Sequence, residues 1–111
     1  MDISYRDRRL EKLGNDSRHA IRKLGLVQAR RLRRRLDDLG AASNLEEMRN
    51  LPGRCHELTG DLAGVFSLDL EHPMRLLFIP QDDPPPTKPD GGLDWQAVEA
   101  VEIIAIEDTH G

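Results

Sequence analysis

Residues 26–40, LVQARRLRRRLDDLG, constrain the fold more than any other stretch of the chain. Leu26, Ala29, Leu32, Leu36 and Leu39 recur at steps of three and four, which places one apolar stripe along a helix of period 3.6. Arg30, Arg31, Arg33, Arg34 and Arg35 occupy the rest of the circumference. Gly40 is expected to stop the helix. Such an element needs an apolar surface to lie on, and the remainder of the chain has to supply it.

That surface is predicted from the second half. RCHEL, GVFSLDL, MRLLFIP and AVEIIAIED have strand length, and in GVFSLDL Phe66, Leu68 and Leu70 alternate with Ser67 and Asp69. Gly60-Asp61 and Glu71-His72-Pro73 read as hairpin turns, and connections that short imply antiparallel neighbours. Before the arginine helix, DISY reads as a short strand. RRLEKLG and SRHAIRKLG read as brief helices stopped by Gly14 and Gly25, with Asn15, Asp16 or Ser17 as an N-cap. Asn44 is expected to cap a short helical turn in NLEEMRNLPG. The order strand, helices, strands predicts an α+β domain with its helices on one face of an antiparallel sheet.

The 111 residues are expected to form a single domain, 1–111. Within it the segment at about 80–96, which includes QDDPPPTKPDGGLDWQ, is too rich in proline and glycine for regular structure. It reads as a loop between the last two strands, with Trp95 as the anchor of its far end. Cys55 is the only cysteine, so neither an internal disulfide nor a cysteine-rich zinc site is available. No stretch reaches membrane-spanning length and MDISYRDRR has no signal-like apolar region, so a cytoplasmic location is expected. No cofactor and no metal is expected either. The net charge of −4 hides a division. Residues 1–54 hold 14 Lys/Arg against 8 Asp/Glu, whereas residues 55–111 hold 2 against 12. The basic half can face a polyanion although the whole chain is acidic.

Few residues carry chemistry. On an extended last strand Asp108 and His110 share a side with Ile104 and Ile106, and a carboxylate two positions from an imidazole can fix its tautomer. The alternative is a frayed polar tail. His56, in RCHEL, reads either as a catalytic imidazole or as a surface residue. Arg75 is the one charge in an apolar strand and needs an anion. Asp69 or Glu71 would serve as a structural partner, and a phosphate as a functional one. The arginine run is either a solvated helix face, with Arg33–Asp37 and Arg34–Asp38 as i,i+4 pairs, or a phosphate-tracking surface. CxxC, HExxH and a phosphate-binding Gly-rich loop are all missing from the sequence. A triad built on Ser67 or Ser43 is not singled out by any spacing.

The stretch LPGRCHELTGDLAGVFSLDLEHPMRLLF, together with a closing Asp-x-His, resembles the HigB-like branch of the RelE/ParE toxin superfamily, the plasmid maintenance killer proteins. DISYRDRRLEKL resembles that family's N-terminal strand and first helix, RRLRRRLDDLGAA its second helix, and PPPTKPDGGLDW an insertion found in a subgroup. The resemblance implies a small curved antiparallel sheet with two to three packed helices, and ribosome-dependent, metal-independent mRNA cleavage. It also implies a helix-turn-helix (HigA-type) antitoxin as partner. On the matched motifs, His56 and His110 would be acid/base residues, Asp108 would assist, and Arg75 would face the phosphate. The arginines at 30, 31, 33, 34 and 35 would meet RNA or the ribosome.

The family pattern is altered at four positions. "LKGDR" stands here as Leu58-Thr59-Gly60-Asp61-Leu62, so Thr59 and Leu62 replace two cations. Met74 replaces the aromatic before the strand arginine, and Thr109 the tyrosine of "DYH". Loss of a single charge-stabilising donor costs ~10²–10³ in rate, so these changes imply a slow, specialised or inert copy. Two other roles follow. One is a decayed toxin homologue that binds an antitoxin and regulates an operon. The other is a ParE-like action on gyrase, which would not need the Asp-x-His pair.

Overall fold

The structure, a computed structural model, describes residues 1–108. Strand β1 is Asp2–Tyr5; helices α1, α2 and α3 are Arg8–Asn15, Ser17–Leu24 and Leu26–Ala41. Strands β2 to β5 are His56–Glu57, Phe66–Asp69, Met74–Pro80 and Ala100–Asp108. They form a five-stranded sheet in the order β1-β5-β4-β3-β2. Three 3-10 turns, Leu45–Asn50, Gly60–Leu62 and Trp95–Ala97, connect these elements.

The four later strands run antiparallel, as the short connections of β2 to β3 and β3 to β4 favour, although β4 and β5 are joined by the long segment 81–99. The β1 strand lies parallel to β5, so the sheet is mixed at that edge. Three helices separate β1 from the later strands, and a connection of that length does not dictate direction as a hairpin does.

Caps fix the helix starts. Asp7 Oδ1 accepts from Leu10 N at 2.8 Å, Asp16 Oδ1 from His19 N at 3.0 Å, and Asn44 Oδ1 from Glu47 N at 3.2 Å. Gly25, at φ +84, separates α2 from α3 as expected. Gly14 and Gly40, by contrast, lie inside α1 and α3 rather than ending them. The reason at Gly14 is packing: a Cβ there would stand 2.3 Å from the Tyr5 hydroxyl oxygen, so only glycine lets the ring lie against α1.

The α3 stripe buries Ala29, Leu32, Leu36 and Leu39 against Phe66, Leu68, Leu76, Phe78, Val101 and Ile103. Each fully buried Leu or Phe contributes on the order of 1.5–3 kcal/mol. Phe66 stacks on Phe78 at 5.6 Å and meets the edge of Trp95 at 4.9 Å. Trp95, with the Arg49 guanidinium 3.6 Å from its ring centre, therefore anchors the end of the proline-rich segment. That segment is not wholly irregular, because Thr87 bridges to Leu93 in a small hairpin. Leu26 is corrected from stripe to surface: it lies at the helix start, off the line of Leu32, Leu36 and Leu39, and is 46% exposed.

Candidate functional site

Residues paired across antiparallel strands share a face. Phe66, Phe78 and Ile103 are aligned on the helix side, as are Leu68, Leu76 and Ile106. The opposite side carries His56 beside Ser67 and Leu77, and then Asp69 beside Arg75 and Glu107. His56, Asp69 and Arg75 thus come to one face from three strands.

Asp69 is the hub of that face. Arg54 Nε donates to its Oδ2 at 2.6 Å and Arg54 Nη2 to its Oδ1 at 3.3 Å, a fork on a carboxylate. Arg75 Nη1 lies 3.7 Å from the same Oδ1, with its side chain only 12% exposed. The backbone of Asp69 is equally fixed: its N–H donates to Gly53 O at 2.8 Å, and its carbonyl accepts from Arg35 Nε at 2.8 Å. Partial burial by itself would raise the Asp69 pKa. The Arg54 hydrogen bond and the charges of Arg54, Arg75 and His56 outweigh it and hold the carboxyl below its ordinary value.

Arg54 was not singled out by the sequence. It follows Pro52-Gly53 and has φ +51, the one non-glycine positive φ among the described residues. Left-handed backbone costs a non-glycine residue about 1–2 kcal/mol. Three hydrogen bonds offset that cost: the two of the fork on Asp69, and His56 Nδ1 at 2.6 Å from Arg54 O. A carbonyl oxygen only accepts, so Nδ1 carries the hydrogen in the neutral ring and Nε2 is the basic nitrogen. This turn also shortens the expected strand RCHEL to His56–Glu57. Arg54, Asp69, His72, Pro73, Met74 and Arg75 line a cleft of about 70 Å³.

A larger basic cleft of about 400 Å³ adjoins it, lined by Val27, Arg30, Arg31, Arg34, Arg35 and Pro52. The expected arginine surface is divided by the packing. Arg30 and Arg34 are exposed on the cleft wall. Arg31 lines it too, tied to Glu71 at 3.2 Å. Arg33 points elsewhere, pairing with Asp37 at 3.0 Å and donating to Gly14 O at 2.7 Å. Arg35, 4% exposed, is a correction to the expected outer face. It stands three residues after Leu32 and four before Leu39, on the margin of the apolar stripe, and is held beneath Gly53. Burial, followed by repulsion from Arg31, lowers its pKa.

At the end of β5 the ladder shifts. Leu77 pairs with Ala105 and Phe78 with Ile103, which leaves Ile104 as an extra residue. Asp108 therefore sides with Ile106 and Ile103, across from Met74, and not with Ile104 as simple alternation predicts. It closes the same strand pair that carries Arg75, but its ladder position is on the other side of the pleat. Thr109 and His110 lie outside the described residues.

Other nucleophiles are disfavoured by their surroundings. Burial pushes the Cys55 thiol up to about 12, so it stays protonated near neutral pH. Ser67 is fully buried, its Oγ without a hydrogen-bond partner among the described residues, and cannot meet a substrate there. Thr59 and Leu62 are exposed on and beside the Gly60–Leu62 turn, so neither supplies a charge there. Among the described residues no three His, Cys, Asp or Glu side chains gather as a metal site, and no helix is long and apolar enough to cross a membrane.

No family model and no curated protein matches the sequence. Among solved structures, the chain is similar to the YoeB dimer from Staphylococcus aureus, with a TM-score of 0.57 and 14% identity over 96% of this chain and 94% of that one. At that identity the likeness is one of architecture: the chain has a YoeB-like α+β fold.

Proposed function

We propose that the chain is the toxin of a bacterial type II toxin–antitoxin pair, of HigB-like kind, acting in the cytoplasm as a metal-independent endoribonuclease on ribosome-bound mRNA. The observation that carries this reading is the convergence of Arg54, Arg75 and His56 around Asp69, beside the arginine-lined cleft. RNA brings its own nucleophile. A 2′-hydroxyl oxygen bonds to the adjacent phosphorus, the bond to the 5′ oxygen breaks, and a cyclic phosphate and a 5′-hydroxyl result. His56 Nε2 accepts the 2′ proton. Arg75 and Arg54 face the charge that gathers on the phosphoryl oxygens, with Arg54 standing in for the cations missing at Thr59 and Leu62. His110 delivers the proton to the leaving oxygen, and Asp108, on the far side of the pleat from Arg75, only assists that imidazole. Arg30, Arg31 and Arg34 guide the flanking backbone into place. The partner is a helix-turn-helix antitoxin of HigA type that covers this face.

Induced expression of the lone chain should slow growth and leave mRNA cut on ribosomes, with both effects lost in His56→Gln. Normal growth and intact transcripts in cells that hold soluble protein would overturn the proposal.

The exposed Thr59 and Leu62 favour a second reading, a catalytically decayed homologue that binds the antitoxin and tunes operon repression. There the parent is harmless, and Thr59→Lys, Leu62→Arg and Thr109→Tyr together should create toxicity. Ribosome-bound mRNA cut by the unaltered chain would rule that reading out.

A further inference from the structure

The β2 strand covers only part of the β3 edge. Glu57 pairs with Phe66 and His56 with Ser67, and there β2 ends. Asp69, two positions further along β3, is satisfied by other groups: its N–H donates to Gly53 O at 2.8 Å, and its carbonyl accepts from Arg35 Nε at 2.8 Å. Arg35 thus reaches across from α3 to supply a donor that a longer β2 would have supplied. The fit is close, since a Cβ on Gly53 would lie 2.8 Å from Arg35 Nε and 3.1 Å from its Cδ. Gly53 precedes Arg54, whose guanidinium forks onto the Asp69 carboxylate, and Arg75 approaches the same carboxylate from β4. One side chain of α3 therefore packs against both the turn that carries Arg54 and the backbone that carries the Asp69 hub.

Stability alone does not account for an arginine at this place. Arg35 is 4% exposed and takes part in no ion pair among the described residues. Burial first, and then repulsion from Arg31 and Arg34, work against its charge. A buried charge without an ionic partner is costly, and an apolar side chain of similar volume would stabilise the fold at least as well. What the guanidinium adds is a flat, rigid donor: Nε holds one carbonyl while the planar group packs under Gly53. Rigidity matters at a phosphate, because a misplacement of about 1 Å can lower a rate on the order of 10²-fold. Arg35 also lines the basic cleft, but Arg30, Arg31 and Arg34 on the same wall are all more exposed than it is. Those three are the ones placed to meet an arriving strand. Arg35 is placed to hold the site behind them.

We propose that Arg35 is a positioning residue of the site: by holding the Asp69 carbonyl and packing under Gly53, it sets the distance between the Pro52–Arg54 turn and β3, and so aligns Arg54 and Arg75 on one phosphate. Its effect on cutting rests on the nuclease reading, whereas the alignment itself does not, and two measurements on the full chain separate them. The first is the titration of the Asp69 carboxyl in the free chain, followed by NMR. In the parent, partial burial is outweighed by the Arg54 hydrogen bond and the charges of Arg54 and Arg75, and the carboxyl titrates below its ordinary value. In Arg35→Ala the titration should move up toward that value as the fork loosens. Millimolar methylguanidinium should bring it back, and methylammonium, a cation without the planar group, should not. The second measurement is single-turnover cleavage on purified ribosomes. There the variant should lose about 10²-fold in maximal rate while the half-saturating ribosome concentration stays at the parent value. Arg35→Lys keeps the charge and most of the stem, so it is the variant least prone to unfold, and it should show both effects in smaller measure. An Asp69 titration at the parent position in both variants overturns the proposal, whatever the thermal midpoint does. So does a raised half-saturation with the maximal rate kept, which would make Arg35 an RNA contact. Equal rescue by methylammonium overturns it too, since charge alone would then suffice. A shifted and rescued Asp69 titration in a chain that never cuts mRNA would instead sink the nuclease reading and leave the alignment standing.

Discussion

Replacing Arg75 with methionine is expected to lower the rate of mRNA cutting on the ribosome by ~10²–10³-fold, the usual loss when one preorganised donor to a developing charge is removed. Methionine retains much of the aliphatic stem, and Asp69 keeps its fork from Arg54, so the fold should survive. Arg75→Lys keeps the charge without the planar fork and should fall between parent and methionine variant. Arg54→Ala should cost less, because that side chain is 65% exposed and so placed in a medium that screens its charge more strongly. The measurement is single-turnover cleavage on purified ribosomes, with the thermal midpoint recorded beside it. An Arg75→Met chain that folds and cuts at the parent rate would remove this guanidinium from the chemistry.

Much of this arrangement was legible from residue order, because hydrophobic period survives folding. The α3 stripe, the alternation in GVFSLDL and the caps at Asp16 and Asn44 all follow local rules, and the structure keeps them. The pairing of Arg75 with Asp69 was also readable, since a charge in an apolar strand demands an anion. What the sequence concealed was non-local. The direction of β1 depends on where three helices return the chain. The burial of Arg35 depends on Gly53 coming close enough that a Cβ there would stand 2.8 Å from Arg35 Nε. Arg54 sits at φ +51 only because His56 and Asp69 hold it there, and these lie two and fifteen positions further along the chain. The bulge at Ile104 is invisible in EIIAIED, where either alternation buries an isoleucine, yet it decides on which side of the pleat Asp108 falls.

Asp69→Asn tests whether the hub restrains the two arginines it orders. In the free chain the carboxylate neutralises them, so an incoming phosphate must displace part of that interaction. The variant should bind inorganic sulfate about tenfold more tightly, the scale of one like charge removed from several ångströms away in a partly screened site. It should also be less stable at neutral pH by about 2–3 kcal/mol, because Arg75 is mostly buried and loses an ionic partner. The pH dependence has a definite sign. The folded-state pKa of Asp69 is depressed, so its stabilising effect is fully present above the ordinary carboxylate value and is lost as pH falls through the lower folded value. Denaturant unfolding of parent and variant should therefore differ at pH 7 and converge in acid, below the ordinary carboxylate range. Were Asp69 itself the proton acceptor, the asparagine chain would stop cutting mRNA while its sulfate affinity stayed at the parent value. Tighter sulfate binding with retained cutting would instead place the carboxylate in the role of a tether, which aligns two guanidinium groups and yields them to the phosphate.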